Sequence, residues 1–316
     1  MAPAPPRLTF FCELEAGPLV ALFADPAVVE HLLALRASVS LGVLDLGPER
    51  AAVVRRLNDA GVPVIAWQLL PRAEGYWFHL GNAPQAEARY EAFRAWTAGH
   101  GLRWDGVGLD IEPDIHDMQR MLASRWRLLP ALLPRLRRGG QLREARARYG
   151  ALLARIRADG YRVDSYQLPF IVDERRAGST LLQRLVGVLD LATDREVLML
   201  YSSFVRPHGP AVSWSYGPDA RSIGVGVTGG GVDVPGLIEV PPLDWEEFAR
   251  DLRLARRWTE DLHVFSLEGC VRQGFLARLR DFDWTVLDEA PPASARRLDR
   301  LRRLASRLLR FAGSQG

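Results

Sequence analysis

Eight short apolar runs, each separated from the next by a helix-length segment, constrain this 316-residue chain more than any other feature. The runs are 8–14, 39–46, 62–70, 106–112, 161–169, 196–203, 222–228 and 262–268. Helical patterns lie at 18–36, 48–60, 83–100, 117–159, 179–191, 243–260 and 272–281, with a loop-rich stretch at 205–220. Pro48 and Glu49 open one of these helices and Gly61 closes it, and Asp244 is placed to cap a helix beginning at Trp245. Strands that alternate with helices pair in parallel, because each helix carries the chain back to the same edge. Eight such units predict a single closed (β/α)8 barrel of the α/β class over residues 8–284. An open doubly wound sheet is the competing architecture, but the Gly-x-Gly-x-x-Gly turn it expects after the first strand is missing.

The segment 117–160 is too long for one crossover. Pro130 and Pro134 interrupt it and Gly139-Gly140 divides it, which predicts an inserted helical hairpin, 118–160, after the fourth strand. Beyond the barrel, residues 291–316 form a basic tail in which Leu298, Leu301, Leu304, Leu308 and Phe311 recur at helical spacing. That amphipathic helix either packs on the barrel wall or lies on an anionic membrane or a protein partner through its arginines, Arg296 to Arg310.

Charge sharpens this division. All 41 basic side chains are arginine, so Schiff-base lysine chemistry, a P-loop lysine and a kinase lysine are excluded. Of the net +3, residues 118–160 carry +9 and residues 291–316 carry +6, leaving −12 for the rest. An acidic body with two basic segments does not fit a nucleic-acid groove, which needs a basic stripe interleaved with aromatics. No long uninterrupted apolar stretch and no export leader is seen, so the expected location is cytoplasmic or membrane-peripheral.

The chemistry of such a barrel is expected where the strands end. The fourth run reads Trp104-Asp105-Gly106-Val107-Gly108-Leu109-Asp110-Ile111-Glu112-Pro113. Alternation points Gly108, Asp110 and Glu112 inward and Leu109 and Ile111 toward the helices. Two carboxyls confined together repel, which raises the proton affinity of one of them. One ionised and one protonated carboxyl suits general acid work on a glycosidic oxygen; solvated carboxylates or arginine pairs are the plainer reading.

The stretch Asp105-Gly106-Val107-Gly108-Leu109-Asp110-Ile111-Glu112 resembles the Asp-Gly-x-Asp-x-Asp-x-Glu signature on the fourth strand of family-18 chitinases, which are TIM barrels. Gly108 stands where the family has its middle Asp. The resemblance implies Glu112 as general acid and Asp110 as the partner that orients the substrate's acetamido group. It implies substrate assistance, in which the substrate's own carbonyl oxygen attacks. A second match, Met199-Leu200-Tyr201-Ser202, is similar to the family's Met-x-Tyr-Asp and implies Tyr201 as a contact to the reacting sugar, with Ser202 in place of Asp.

Other strand ends add candidates for binding sugar hydroxyls: Glu13, Trp67, Gln68, Gln167 and Glu268. Glu13 and Glu268 should be neighbours, since the first and last strands adjoin in a closed barrel, and Glu268 could serve as a nucleophile opposite Glu112. Trp77, within Tyr76-Trp77-Phe78, and Trp214, near Tyr216, fall in loop-like stretches and are candidate sugar platforms. Gly229-Gly230-Gly231 suits a close backbone approach. No metal is expected: His79, His116 and His208 match no ligand spacing, and no cofactor motif appears. Cys12 and Cys270 read as two buried thiols. The expected function is glycoside hydrolysis on an oligosaccharide or glycoconjugate. The alternatives are a catalytically degenerate sugar-binding barrel and a membrane- or partner-associated protein acting through its basic tail.

Overall fold

In the computed structural model, which describes residues 5–117, 133–231, 240–287 and 290–313, all eight predicted strands form. They are β1 (Arg7–Cys12), β2 (Ser38–Val43), β3 (Val64–Gln68), β4 (Gly106–Ile111), β5 (Arg162–Gln167), β6 (Arg195–Met199), β7 (Ser222–Gly226) and β8 (Asp261–Phe265). Each pairs in parallel with the next, and β8 closes on β1 with Val264 opposite Phe10, giving the predicted closed barrel. Both faces of these strands are buried, which is why they read as apolar runs rather than as alternating ones.

The helices follow the expected order with local differences. The pattern at 18–36 is two helices, α1 (Ala16–Ala24) and α2 (Pro26–Ala34), because Asp25 caps Ala27 N at 2.9 Å and Pro26 sits in the first turn of α2. The helices α3 (Pro48–Ala60) and α4 (Ala83–His100) lie as predicted. Part of the predicted hairpin, 118–132, falls outside the described residues. The rest is a short turn of 3-10 helix, Leu133–Arg137, and α5 (Gly139–Ala158), which is the crossover between β4 and β5 and buries Leu142, Tyr149, Leu153 and Ile156. Between β5 and β6 the helix is α6 (Phe170–Ala177); the predicted 179–191 holds only a π-helical turn, Gln183–Gly187. The loop-rich 205–220 contains α7 (Gly209–Tyr216). The cap predicted at Asp244 opens α8 (Trp245–Arg256) as a capping box, with Glu247 N donating to Asp244 at 2.8 Å. After β8 come α9 (Leu267–Arg272) and α10 (Phe275–Arg280), separated at Gly274, and finally α11 (Ala295–Gly313), packed against α6 and α7.

The barrel interior is filled in three levels. At the floor, Asp164 and Asp261 meet Arg162, Arg195 and Arg7. The buried His263 lies beside Asp261, at 3.8 Å, with neither ring nitrogen hydrogen-bonded. At the waist, Phe11, Trp67 and Tyr166 pack edge to face, with centroids 4.6 to 6.0 Å apart. Above them the mouth gathers carboxylates.

Candidate active site at the barrel mouth

Strand β4 delivers the central pair. Asp110 and Glu112 project from the inward row, while Leu109 and Ile111 join the layer between barrel and helices. Trp67 Nε1, reaching across from β3, donates to Asp110 Oδ2 at 3.1 Å. The other oxygen, Oδ1, is buried without a partner. Burial, with the neighbouring Glu112 and Glu13 charges, pushes the Asp110 carboxyl well above the usual carboxylate range. Glu112, at the strand's end and partly buried, is pushed up to about 7 by its withdrawal from water. No cation pairs with either residue among the described residues. Two carboxyls that share one small region without a cation hold protons near neutral pH.

Tyr201 follows β6, with its ring 5.9 Å from Phe265 and 6.1 Å from Phe204. Burial and the charges of Asp110 and Glu112 raise its proton affinity, so the phenol stays a donor. The neighbouring Ser202 turns the other way: its hydroxyl donates to Asp251 on α8.

The β1 and β8 side of the mouth is held together by backbone. Tyr76 donates its phenol proton to Glu13, although Tyr76 itself sits at φ +64, a left-handed conformation costly for an aromatic residue. Gly231 N donates to Glu268 Oε1 at 2.8 Å, and a Cβ on Gly231 would come within 2.9 Å of Glu13 Oε2. A Cβ on Gly230 would collide with Glu268 Cγ, and both glycines have positive φ. The triglycine run is therefore required for the loop to lie on both carboxylates. Glu268 Oε2 is buried without a partner, and burial raises its proton affinity against the pull of the surrounding N–H donors.

Gly108 has a direct physical cause. Any side chain there would overlap the hydroxyl and ring of Tyr166, whose Oη shares a 2.6 Å hydrogen bond with Ser40 Oγ. The volume of a middle Asp in this signature is occupied by a phenol delivered from β5. Tyr166 is absent from the sequence-derived candidates, yet alternation from Asp164 puts it on the inward row.

Three sequence-derived candidates lie elsewhere. Gln68 pairs in register with Val43 and Leu109, both in the barrel–helix layer, so it faces the helices. Gln167 pairs with Ile111 and Leu198 in the same layer and donates to Leu189 O at 3.3 Å. Trp214 is on α7 rather than in a mouth loop. It stacks edge-on with Trp258 at 5.6 Å, with Arg257 5.0 Å from its ring. Trp77 is buried beside Tyr76, with ring centroids 5.4 Å apart. Among the described residues no three His, Cys, Asp or Glu side chains are grouped to hold a metal ion. Both cysteines are free and buried.

No family model and no curated protein sequence matches this chain. Solved structures do. The glycoside hydrolase domain of PgaB (BpsB) from Bordetella bronchiseptica is 10% identical, with 90% of this chain and 100% of that chain covered and a TM-score of 0.50. The apo 3-keto-D-glucoside 4-epimerase YcjR from E. coli is 12% identical over 96% and 99% of the two chains, at a TM-score of 0.46. At such identities the likeness concerns architecture: the chain has the fold of a (β/α)8 TIM barrel.

Proposed function

We propose that this barrel is a glycoside hydrolase resembling family 18, cleaving a glycosidic bond next to an N-acetylhexosamine with Glu112 as its general acid. The observation that carries this reading is a strand-end carboxyl whose pKa lies at about 7, directly above a second buried carboxyl on the same strand face. An acid of that strength is half protonated at neutral pH, close to the optimum for giving and retaking a proton.

On this reading Glu112 transfers its proton to the glycosidic oxygen as the bond from the anomeric carbon to that oxygen breaks. The leaving sugar departs as an alcohol. The carbonyl oxygen of the substrate's N-acetyl group bonds to the anomeric carbon, giving a cyclic intermediate. Asp110, through the oxygen that has no protein partner, holds the amide nitrogen, and the Tyr201 phenol donates to the attacking carbonyl. Water then adds at the anomeric carbon as its bond to the acetamido oxygen breaks and the ring of the intermediate opens, while the ionised Glu112 takes the water's proton, restoring the starting state.

Hydrolysis of N-acetylhexosamine oligosaccharides by the full chain tests this. The expected result is turnover that falls by about a thousandfold in Glu112→Gln, in line with the usual contribution of a general acid. The circular dichroism spectrum should be retained. Full activity in that variant overturns the assignment. The occupation of the middle carboxylate's space by Tyr166 favours a second reading, a sugar-binding barrel without turnover. Calorimetric affinity for the same oligosaccharides, with no products formed over long incubation, selects it.

A further inference from the structure

The two basic segments differ in how their arginines are used. In and before α5 four guanidinium groups meet acidic residues of the body: Arg135 with Asp117 at 2.6 Å, Arg148 with Glu87 at 2.7 Å, Arg155 with Glu91 at 2.9 Å and Arg157 with Asp194 at 3.0 Å. On α11 only Arg302 is used in this way among the described residues. It reaches Asp173 at 2.7 Å and Asp219 at 2.9 Å while lying 3.6 Å from the centre of the Tyr216 ring. Arg302, with the buried Ala295 and Leu309, marks the face of α11 that packs on the barrel wall.

The rest of α11 has two further faces. Arg303, Arg307 and Arg310 line a cavity of about 430 Å³ shared with Arg176 and Arg302. Asp173 and Asp299 line it too, but Asp173 is held by Arg302 and Asp299 accepts from Ser215. Arg303, Arg307 and Arg310 have no acidic partner among the described residues. On the third face, Leu301, Leu304 and Leu308 are 54%, 54% and 63% exposed, with Phe311 at 68% continuing the row. Spacings of three and four residues place these side chains in one stripe. No single helix among the described residues is long and apolar enough to cross a membrane.

We propose that α11 docks this barrel on an anionic phospholipid surface. The leucine stripe lies at the boundary between headgroups and acyl chains, and Arg303, Arg307 and Arg310 take lipid phosphates. An apolar stripe beside an arginine stripe, on a helix already anchored by its third face, matches a surface that offers apolar depth and negative charge together. A second copy of the chain fits the same face poorly. Two-fold pairing through the leucines would bring each unpaired arginine row toward its own image.

Flotation of the full chain with phosphatidylcholine vesicles, with and without phosphatidylglycerol, tests the proposal. The expected result is flotation only with phosphatidylglycerol, weakening as salt is raised. The triple variant Leu301→Ser, Leu304→Ser, Leu308→Ser should stay at the bottom of the gradient. The triple variant Arg303→Glu, Arg307→Glu, Arg310→Glu should lose about a hundredfold in apparent affinity. All substituted side chains are exposed, and unchanged melting temperatures confirm that both variants fold. Three outcomes overturn the proposal: no flotation of the unaltered chain with phosphatidylglycerol, equal flotation of the leucine variant, or a dimer in sedimentation that disappears with the leucines. Titration with inorganic phosphate distinguishes the remaining source of the same chemistry. If phosphate binds the unaltered chain and the leucine variant equally while neither floats, the cavity takes a free anion and the membrane proposal fails.

Discussion

The floor and the mouth of this barrel contain the same kind of group and treat it in opposite ways. At the floor, buried Asp164 and Asp261 are matched by Arg162, Arg195 and Arg7. At the mouth, Asp110, Glu112 and Glu268 have no cation among the described residues, and burial raises the proton affinity of all three; it raises Asp164 at the floor as well, but there against the pull of Arg162 and Arg195. Between the two levels stands the aromatic waist of Phe11, Trp67 and Tyr166. A matched network supports the fold. An unmatched one costs stability and is typical of sites that need protons held near neutral pH. The proposed function rests on this contrast between arginine-paired carboxylates at one end of the barrel and unpaired carboxyls at the other.

The largest expected effect separates the two ends by pH. Burial pushes His263 at the floor down to about 3, with Asp261 pulling it up and Arg195, Arg162 and Arg7 pushing it further down. A folded value below the unfolded one contributes stability that is present above pH 6.5 and is lost as pH falls toward 3. The loss reaches up to about 5 kcal/mol. Since neither ring nitrogen has a hydrogen-bond partner, His263→Leu removes the titration without orphaning a neighbour. Urea unfolding of that variant should show a flatter acid limb between pH 6.5 and 3. An unchanged limb would mean that the floor is not what acid attacks.

The mouth runs with the opposite sign. Glu112 has a folded value of about 7, above its unfolded value. Its contribution is fully present below the unfolded value of about 4.5 and is lost as pH rises through about 7. Glu112→Gln should therefore raise stability at pH 8 by up to about 3 kcal/mol and change nothing at pH 4. Together with the expected loss of hydrolysis, this would be a gain in stability at the cost of function. A variant less stable than the parent at pH 8 would place Glu112 among the structural carboxylates.

Much of this arrangement is legible in the chain itself. The eight strands stand out because strands buried on both faces are continuous apolar runs bounded by turns. The inward row of β4 follows from alternation alone, and it places Asp110 and Glu112 together. What is not legible follows from two local ambiguities. A continuous apolar run does not show its phase, so Gln68 and Gln167 read as site residues when their inward neighbours are Trp67 and Tyr166. A glycine followed by proline reads as a loop, so Gly209-Pro210 conceals the start of α7 and turns Trp214 into an apparent platform. Proline is tolerated in a first helical turn because its missing N–H has no partner there. The charge balance shows two basic segments but not that, among the described residues, one pairs with the acidic body at several arginines and the other only through Arg302.

The smallest expected effect tests the waist, where the departure from the family-18 signature lies. If Gly108 is required only because Tyr166 fills its space, Gly108→Ala should cost about 1–3 kcal/mol by overpacking. Tyr166→Phe alone should cost about 1 kcal/mol through the hydrogen bond lost from Ser40. In the double variant the clash with the hydroxyl is gone, and the combined loss should be smaller than the sum of the two single losses. A double-mutant cycle on thermal or urea unfolding reads this coupling directly. Strict additivity would place the clash on the ring carbons of residue 166, at 2.7 and 2.9 Å, rather than on its hydroxyl. Coupling would show that the position is closed by packing. A carboxylate could then be restored there only together with a smaller residue at 166, and the proposed hydrolysis would run on Asp110 and Glu112 without a third acid on β4 below them.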